Sequence, residues 1–537
     1  MPVSLKQANT LIIDDFQGMR TMLRDFVKSM GVSHIDTASN GKEAISRLNS
    51  SKYDIVICDF NLGAGANGQQ VLEEAKLRNL IGVSTIWVMV TAEKTADMVM
   101  GAAETRPDDY LLKPINQVLL QNRLEKLMAR KQSLGEIESA IRTQDFGAAV
   151  GHCDQLLKNQ VVNPQEILRI KSDLLLTLGE YAAAKSLFES VLSQRNVAWA
   201  KTGLGKILFH TRDYEGAAIF FGQVLTDNPM YIESADWLAK TYDAMGYTAQ
   251  AQQVLMDAVK LSPNSPLRQK SLGDTAFKNG ALDIAQAAFE KTIQISEFSA
   301  HKNPVIYARL AEVLCDKNEP VEALKVLKRS KVDFRLNPSA ALQTATSECR
   351  VYQKMGKTDM AQAAMEVAER LMDQLGSNLS TELVLEIARS HLKLGQKDKA
   401  CRLLGDLIKN NHENADISRQ IEAVFESEHL AAEGQALIMT SRQEVIDINN
   451  QGVMFAKQGD FQQGLKLLRT AVKQLPNSEV MIVNLCGLLI AQMSKEGYKE
   501  TLAAEVTELL DRIRLLNPAN KKYESYVQVL SRMRRGG

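Results

Sequence analysis

The 537-residue chain is notable first for what it lacks. It has no apolar run near the ~20 residues that cross a bilayer and no charged-then-apolar leader at its start; it reads as a soluble, cytoplasmic protein with no membrane partner. Its six cysteines (Cys58, Cys153, Cys315, Cys349, Cys401 and Cys486) lie far apart, none in a CxxC pair. That spacing fits reduced thiols and argues against both a disulfide framework and a zinc site. Charge of either sign in excess is missing too: 64 basic side chains face 64 acidic ones. The balance is not two opposite halves cancelling, since residues 1–130 carry 15 of each and the remainder 49 of each. No basic module is present to hold nucleic acid, and none is expected as a partner. Prolines number only 12 and aromatics make up 6%, which favours helix. The length exceeds what one core can serve, so several domains, or one domain and an extended array, are expected.

Two textures divide the chain near residue 115. Before it, short β-branched runs (Thr10–Ile13, His34–Ala38, Ile55–Cys58, Ile86–Thr91, Asp109–Leu112) alternate with helical patterns at about 17–30, 41–50, 68–79 and 96–105. Strands alternating with helices of that length predict a doubly wound α/β domain with a five-stranded parallel sheet. In such sheets function gathers at the carboxyl ends of the strands. A long helix from about Ile115 to the mid-130s is expected to join the two parts.

Beyond it the strand signal vanishes and a 34-residue period appears. Tyr214, Thr248 and Leu282 keep it, as do Ala217, Ala251 and Ala285, and Leu204, Leu238 and Leu272. Gly205, Ala239 and Gly273 repeat with the same step, and so do Phe221, Leu255 and Phe289; Pro229 and Pro263 follow it as well. Small residues at such positions let packed helices approach, and a proline after the second helix stops it. This pattern resembles the tetratricopeptide repeat, a helical hairpin that stacks into an all-α solenoid. Weaker units lie upstream, at Gly179–Glu180–Tyr181 with Ala184 and Phe188 and at Phe146 with Ala149. Downstream, Ala323, Ala361 and Ala400 continue at steps of 38 and 39, and a clearer unit returns at Gly459–Asp460–Phe461. We expect about nine units over 137–537, least distinct at 410–445, after a linker at 126–136.

The chemistry concentrates in the first part. Asp14 and Asp15 follow the first strand, Asp59 the third, Thr91 ends the fourth, and Lys113–Pro114 follows the fifth. Three carboxylates converging on one sheet edge would repel one another strongly. A divalent cation and a lysine supply +3 against their −3, so the set suits Mg²⁺ and an ammonium group. An aspartate so placed can attack a phosphoryl donor and become an aspartyl phosphate.

These residues, in this order, resemble the response regulator receiver domain of two-component signalling, over roughly residues 8–125. The resemblance implies that Asp59 is the phosphoacceptor, that Asp15 ligates Mg²⁺ directly and Asp14 through water, and that the backbone carbonyl of Asn61 completes the ligands. It implies further that Lys113 pairs with the phosphoryl group across a cis Lys113–Pro114 bond. Thr91 would donate to phosphoryl oxygens, and Tyr110 would be the aromatic switch. The segment Asp59–Gly68 departs from the family: it is richer in glycine and one residue longer, so a more mobile loop is expected.

The function expected is that of a response regulator, phosphorylated on Asp59 by a histidine kinase or phosphotransfer protein. Its repeats would bind a partner protein or peptide in a phosphorylation-dependent way. The receiver either releases a masked groove or forms a dimer that presents two. Beyond catalysing its own phosphorylation and dephosphorylation it is not expected to be an enzyme. Two alternatives stay open: a phosphate shuttle or sink whose repeats only dock it, and a constitutive scaffold.

Overall fold

In the computed structural model, residues 5–92, 105–159, 164–299, 301–376, 379–412, 414–517 and 520–536 are described here. They form two compact units, Met1–Asn318 and Glu319–Gly537.

The first unit opens with the α/β domain. Strands β1 (Asn9–Ile13), β2 (His34–Ala38), β3 (Ile55–Asp59), β4 (Ile86–Thr91) and β5 (Asp109–Leu112) alternate with helices α1 (Gln17–Ser29), α2 (Gly41–Ser50) and α3 (Gly68–Leu77). The sheet is parallel throughout, in the order β2-β1-β3-β4-β5. Strands β3 and β4 are buried along their whole length, as both faces of a parallel sheet must be. Alternate residues divide between two cores: Ile12, Ile57, Val88 and Val90 face one, Leu11, Val56, Trp87 and Met89 the other. The helical pattern expected at 96–105 lies outside the described residues, apart from Thr105.

Helix α4 (Gln117–Lys131) follows β5, and its apolar stripe of Leu120, Leu124, Leu127 and Met128 packs into the first of these cores. A single turn, Gln132–Leu134, breaks it before the next helix starts at Gly135. The joining helix expected from about Ile115 to the mid-130s corresponds to Gln117–Lys131 with the turn that follows it, and Leu134 already belongs to the core of the repeats.

In 198–295 the first helices Ala198–His210, Ile232–Ala244 and Pro266–Lys278 start 34 residues apart. The second helices Tyr214–Asp227, Thr248–Leu261 and Leu282–Ile295 keep the same step. Ala217, Ala251 and Ala285 are wholly buried. The glycines do a different job from the one their size suggested. A Cβ on Gly205 would stand 2.6 Å from the ring of Phe221, and one on Gly273 2.6 Å from that of Phe289. A phenylalanine ring, not a neighbouring backbone, fills the room.

The second unit is all helix in its described residues. The longer steps to Ala361 and Ala400 are absorbed by the extended helices Pro338–Lys354 and Thr358–Leu375, and that to Ala323 by the longer connection between Leu282–Ile295 and Pro304–Asp316. Through 431–457 runs one 27-residue helix, Ala431–Lys457, with two packing sites. A Cβ on Gly434 would meet Phe425 at 2.8 Å, and one on Gly452 would meet Leu468 at 2.9 Å. One helix therefore does the work of two consecutive repeat helices with no turn between them. That is why the pattern fades there in the sequence.

Candidate functional site

The strand order reverses between β1 and β3, and the crevice at their carboxyl ends is where a doubly wound sheet binds its ligand. Asp14 and Asp15 leave β1 there, and Asp59 is the last residue of β3. One oxygen from each of the three carboxylates falls within a 4.8 Å cluster. Asp14 and Asp59 are buried, at 1% and 6% exposure, while Asp15 is open to solvent.

Lys113 ties the set together. Its Nζ lies 2.8 Å from Asp59 Oδ2 and 3.1 Å from Asp14 Oδ2. The preceding strand delivers it: the Lys113 N–H donates to the Thr91 carbonyl at 2.8 Å, and the Lys113–Pro114 bond is cis. Burial raises the Asp59 carboxyl above the ordinary carboxylate range, and nearby Asp14 adds to this, while the Lys113 ammonium opposes both. Burial alone would lower Lys113, but its hydrogen bonds to Asp59 and Asp14 reverse this and hold it above the usual lysine value.

The two N-terminal carboxylates differ in what they have left to give. Asp14 accepts the Phe16 N–H at 2.8 Å on Oδ1 and Lys113 on Oδ2. Among the described residues the Asp15 carboxylate has neither a hydrogen bond nor an ion pair. Arg20 braces the turn that carries both, donating to the carbonyls of Asp14 at 2.6 Å and Asp15 at 3.0 Å. Arg20 is a positioning residue whose role sequence reading did not assign; its place one helical turn into α1 was the available signal.

The glycine-rich loop is tied down at several points. Phe60 N–H donates to the Val90 carbonyl at 2.7 Å, Gly68 N–H to the Phe60 carbonyl at 2.8 Å, and Leu62 is buried. Gly63 has φ +72°, and a Cβ there would approach Asp15 Oδ2 to 3.2 Å, so glycine keeps the loop clear of the acidic pair. Asn67 and Gln70 form a capping box that starts α3. Thr91 is buried at the end of β4, one residue past the partner of Asp59 in the ladder. Tyr110 packs beside Trp87 and Met89. Burial pushes its hydroxyl up to about 12, a rise moderated by a hydrogen bond from Thr105. The structure thus brings together Asp14, Asp15, Asp59 and Lys113, with Thr91 on the adjoining strand. Asn61 stands two residues beyond Asp59 with its side chain turned back to Gly63 N at 3.3 Å. Cys58 is buried and its thiol pushed up by burial, as suits an inert core residue.

Residues 10–125 match the response regulator receiver domain family, and residues 171–229, 232–265 and 382–411 match tetratricopeptide repeat families. The chain is a receiver domain followed by tetratricopeptide repeats. Over 120 residues the chemotaxis protein CheY of Pseudomonas aeruginosa is 28% identical, covering 22% of this chain and 95% of that protein. CheY-3 of Vibrio cholerae is 26% identical over 125 residues, 23% of this chain and 95% of its own. A solved structure of Vibrio cholerae CheY4 aligns at 22% identity and TM-score 0.21, over 22% of this chain and 98% of that one. No described helix of the receiver or the repeats is long and apolar enough to cross a membrane.

The receiver residues fit a magnesium ion. Mg²⁺ takes one or two carboxylates and keeps its remaining positions for water and phosphate oxygens, and Asp15 offers an unengaged carboxylate beside two buried ones.

Proposed function

We propose that this chain is a cytoplasmic response regulator whose receiver is phosphorylated on Asp59 by a histidine kinase or phosphotransfer protein, and whose repeats bind a partner protein in response. The observation that supports it best is the Lys113 ammonium bridging Asp59 and Asp14 beside the free Asp15 carboxylate. An oxygen of Asp59 attacks phosphorus on a phosphohistidine; the O–P bond forms as the P–N bond breaks, and the imidazole nitrogen leaves with the electron pair. Lys113 follows the phosphoryl oxygens, and the Thr91 hydroxyl donates to one of them after transfer. Mg²⁺ held by Asp15, Asp59, the Asn61 carbonyl and, through water, Asp14 would neutralise charge on the phosphoryl group. Tyr110 reports the change to the surface. No catalysis beyond the receiver's own phosphorylation and dephosphorylation is assigned.

The test is intact-mass measurement of the full chain after incubation with Mg²⁺ and acetyl phosphate. One acid-labile phosphoryl group is expected in the wild type and none in Asp59→Ala; equal labelling of the two would refute the assignment.

A further inference from the structure

The receiver is seated on its own repeats, and one of its side chains occupies a defined place there. Arg106 Nη2 lies 2.9 Å from Glu233 Oε2, and Lys206 Nζ lies 2.6 Å from Oε1 of the same carboxylate. Tyr231 donates to Glu233 at 3.4 Å. Burial alone would raise the Glu233 carboxyl, but Lys206 and Arg106 hold it below the ordinary range. Asp173 stands within electrostatic reach of Lys206, Glu233, Arg106 and Arg169, its carboxyl raised above the ordinary range chiefly by burial, and it has no ion pair among the described residues. Asp173, Lys206 and Glu233 belong to the first helices of three successive hairpins, Pro164–Leu178, Ala198–His210 and Ile232–Ala244. Such a face is the binding surface of a repeat solenoid. Arg169 lies over the Trp199 ring at 5.4 Å and from there still acts on Asp173 and Tyr231, lowering both. Without Arg106, Glu233 would keep Lys206, and Asp173 would keep Lys206 and Arg169. Arg106 itself has φ +48°, in the left-handed region.

Hydrogen bonds connect this contact to the acceptor loop. Gly68, which opens α3, is bonded to Phe60, the residue after Asp59. From α3, Gln70 Nε2 donates to the Ile295 carbonyl at 2.8 Å, and Glu73 lies 3.2 Å from His301 Nε2. Lys76, on the same helix, donates to the carbonyls of Thr105 at 2.5 Å and Arg106 at 3.1 Å. Thr105 in turn bonds Tyr110.

We propose that Glu233 and Asp173 form the recognition site for an arginine-bearing segment of the partner protein, that Arg106 fills it in the resting chain, and that phosphorylation empties it. The last clause rests on the reading of Asp59 as phosphoacceptor; the first two do not. The partner's guanidinium takes the Oε2 position that Arg106 vacates, making a charge-assisted hydrogen bond to a carboxylate whose other oxygen Lys206 holds.

The test uses the full chain and two fluorescein-labelled ten-residue peptides, one alternating arginine with glycine, the other glutamate with glycine, followed by anisotropy. Arg106→Ala should bind the arginine peptide at least about 5-fold more tightly than wild type, within the roughly 5–150-fold range of such couplings. Adding Glu233→Gln, which keeps the side chain's size, should abolish that gain. Beryllofluoride with Mg²⁺, as phosphoryl mimic, should reproduce it in the wild type. No gain in Arg106→Ala, a gain that survives Glu233→Gln, or an equal gain for the glutamate peptide would each overturn the recognition site. Beryllofluoride bound at Asp59 without a gain would overturn the phosphorylation link. If Arg106→Ala opens the site while acetyl phosphate fails to label Asp59, recognition by Glu233 stands and the phosphoacceptor reading falls.

Discussion

Asp14 and Asp15 are adjacent in sequence and unlike in circumstance. Asp14 is buried, with both oxygens already accepting hydrogen bonds; Asp15 is exposed with neither engaged. A hydrated Mg²⁺ ion should therefore draw more of its affinity from Asp15. Asp15→Ala is expected to weaken Mg²⁺ binding at least about 10-fold, near 1.4 kcal/mol, and Asp14→Ala by less. Titration calorimetry of the two variants decides it, and unchanged affinity in both would reduce the pair to a turn. At this scale the sequence was readable. Each reacting residue sits at a strand end, and a strand announces its end by a change from β-branched apolar residues to Asp, Thr or Lys. The hydrogen-bond bookkeeping that separates Asp14 from Asp15 is not local, because Lys113 arrives from 99 residues away. The division of labour between them was available beforehand only through family resemblance.

Among the elements, the repeat glycines and the turn at His301 invite direct tests. A Cβ on Gly203 would stand 2.2 Å from the ring of Phe188 in the preceding hairpin, and one on Gly205 2.6 Å from Phe221 in its own. Both rings are buried and cannot swing away. Gly203→Ala and Gly205→Ala should each cost about 1–3 kcal/mol, the usual penalty of overpacking, although alanine is the better helix former. Thermal melts showing either variant as stable as wild type would contradict the packing. Paired Phe188→Leu should recover part of the loss in Gly203→Ala. His301 offers a pH test. Its hydrogen bond to Glu73 raises it above the ordinary histidine value, with burial opposing. A raised histidine contributes stability in full below the unfolded value of about 6.5 and loses it as pH rises through the folded value. Amide exchange in α3 should therefore quicken relative to β3 as pH is taken upward through that window, after correction for intrinsic rates. His301→Gln should remove the effect, and an unchanged profile in that variant would exclude the pair as its source. The 34-residue step was legible because five registers repeat it together. Ala431–Lys457 was not, because fusing two helices deletes the turn residues by which a hairpin is read.

For the whole molecule, a solenoid contacts only its neighbours, so energy entering at one place is not shared equally by the rest. The acidic site belongs to the unit Met1–Asn318, and the repeats from Glu319 onward form a unit of their own. What the sequence could not disclose at this scale is the seating of the receiver on the repeats. Arg106 and Glu233 are 127 residues apart, each unremarkable in its own segment, and no periodicity marks an ion pair between domains. Calorimetric unfolding should accordingly be resolved into more than one transition, of which Mg²⁺ raises only the one reporting on 1–318. A ligand at 100 times its dissociation constant adds about 2.7 kcal/mol to the state that binds it. For a unit of this size that is a shift of several degrees. Asp15→Ala should flatten the response without moving the Mg²⁺-insensitive transition. Exchange measured by mass spectrometry through the same temperature range assigns each transition to its residues. If Mg²⁺ raised the unfolding of 319–537 by the same amount, the two units would melt as one cooperative body, and the repeats would be coupled to the receiver along their whole length.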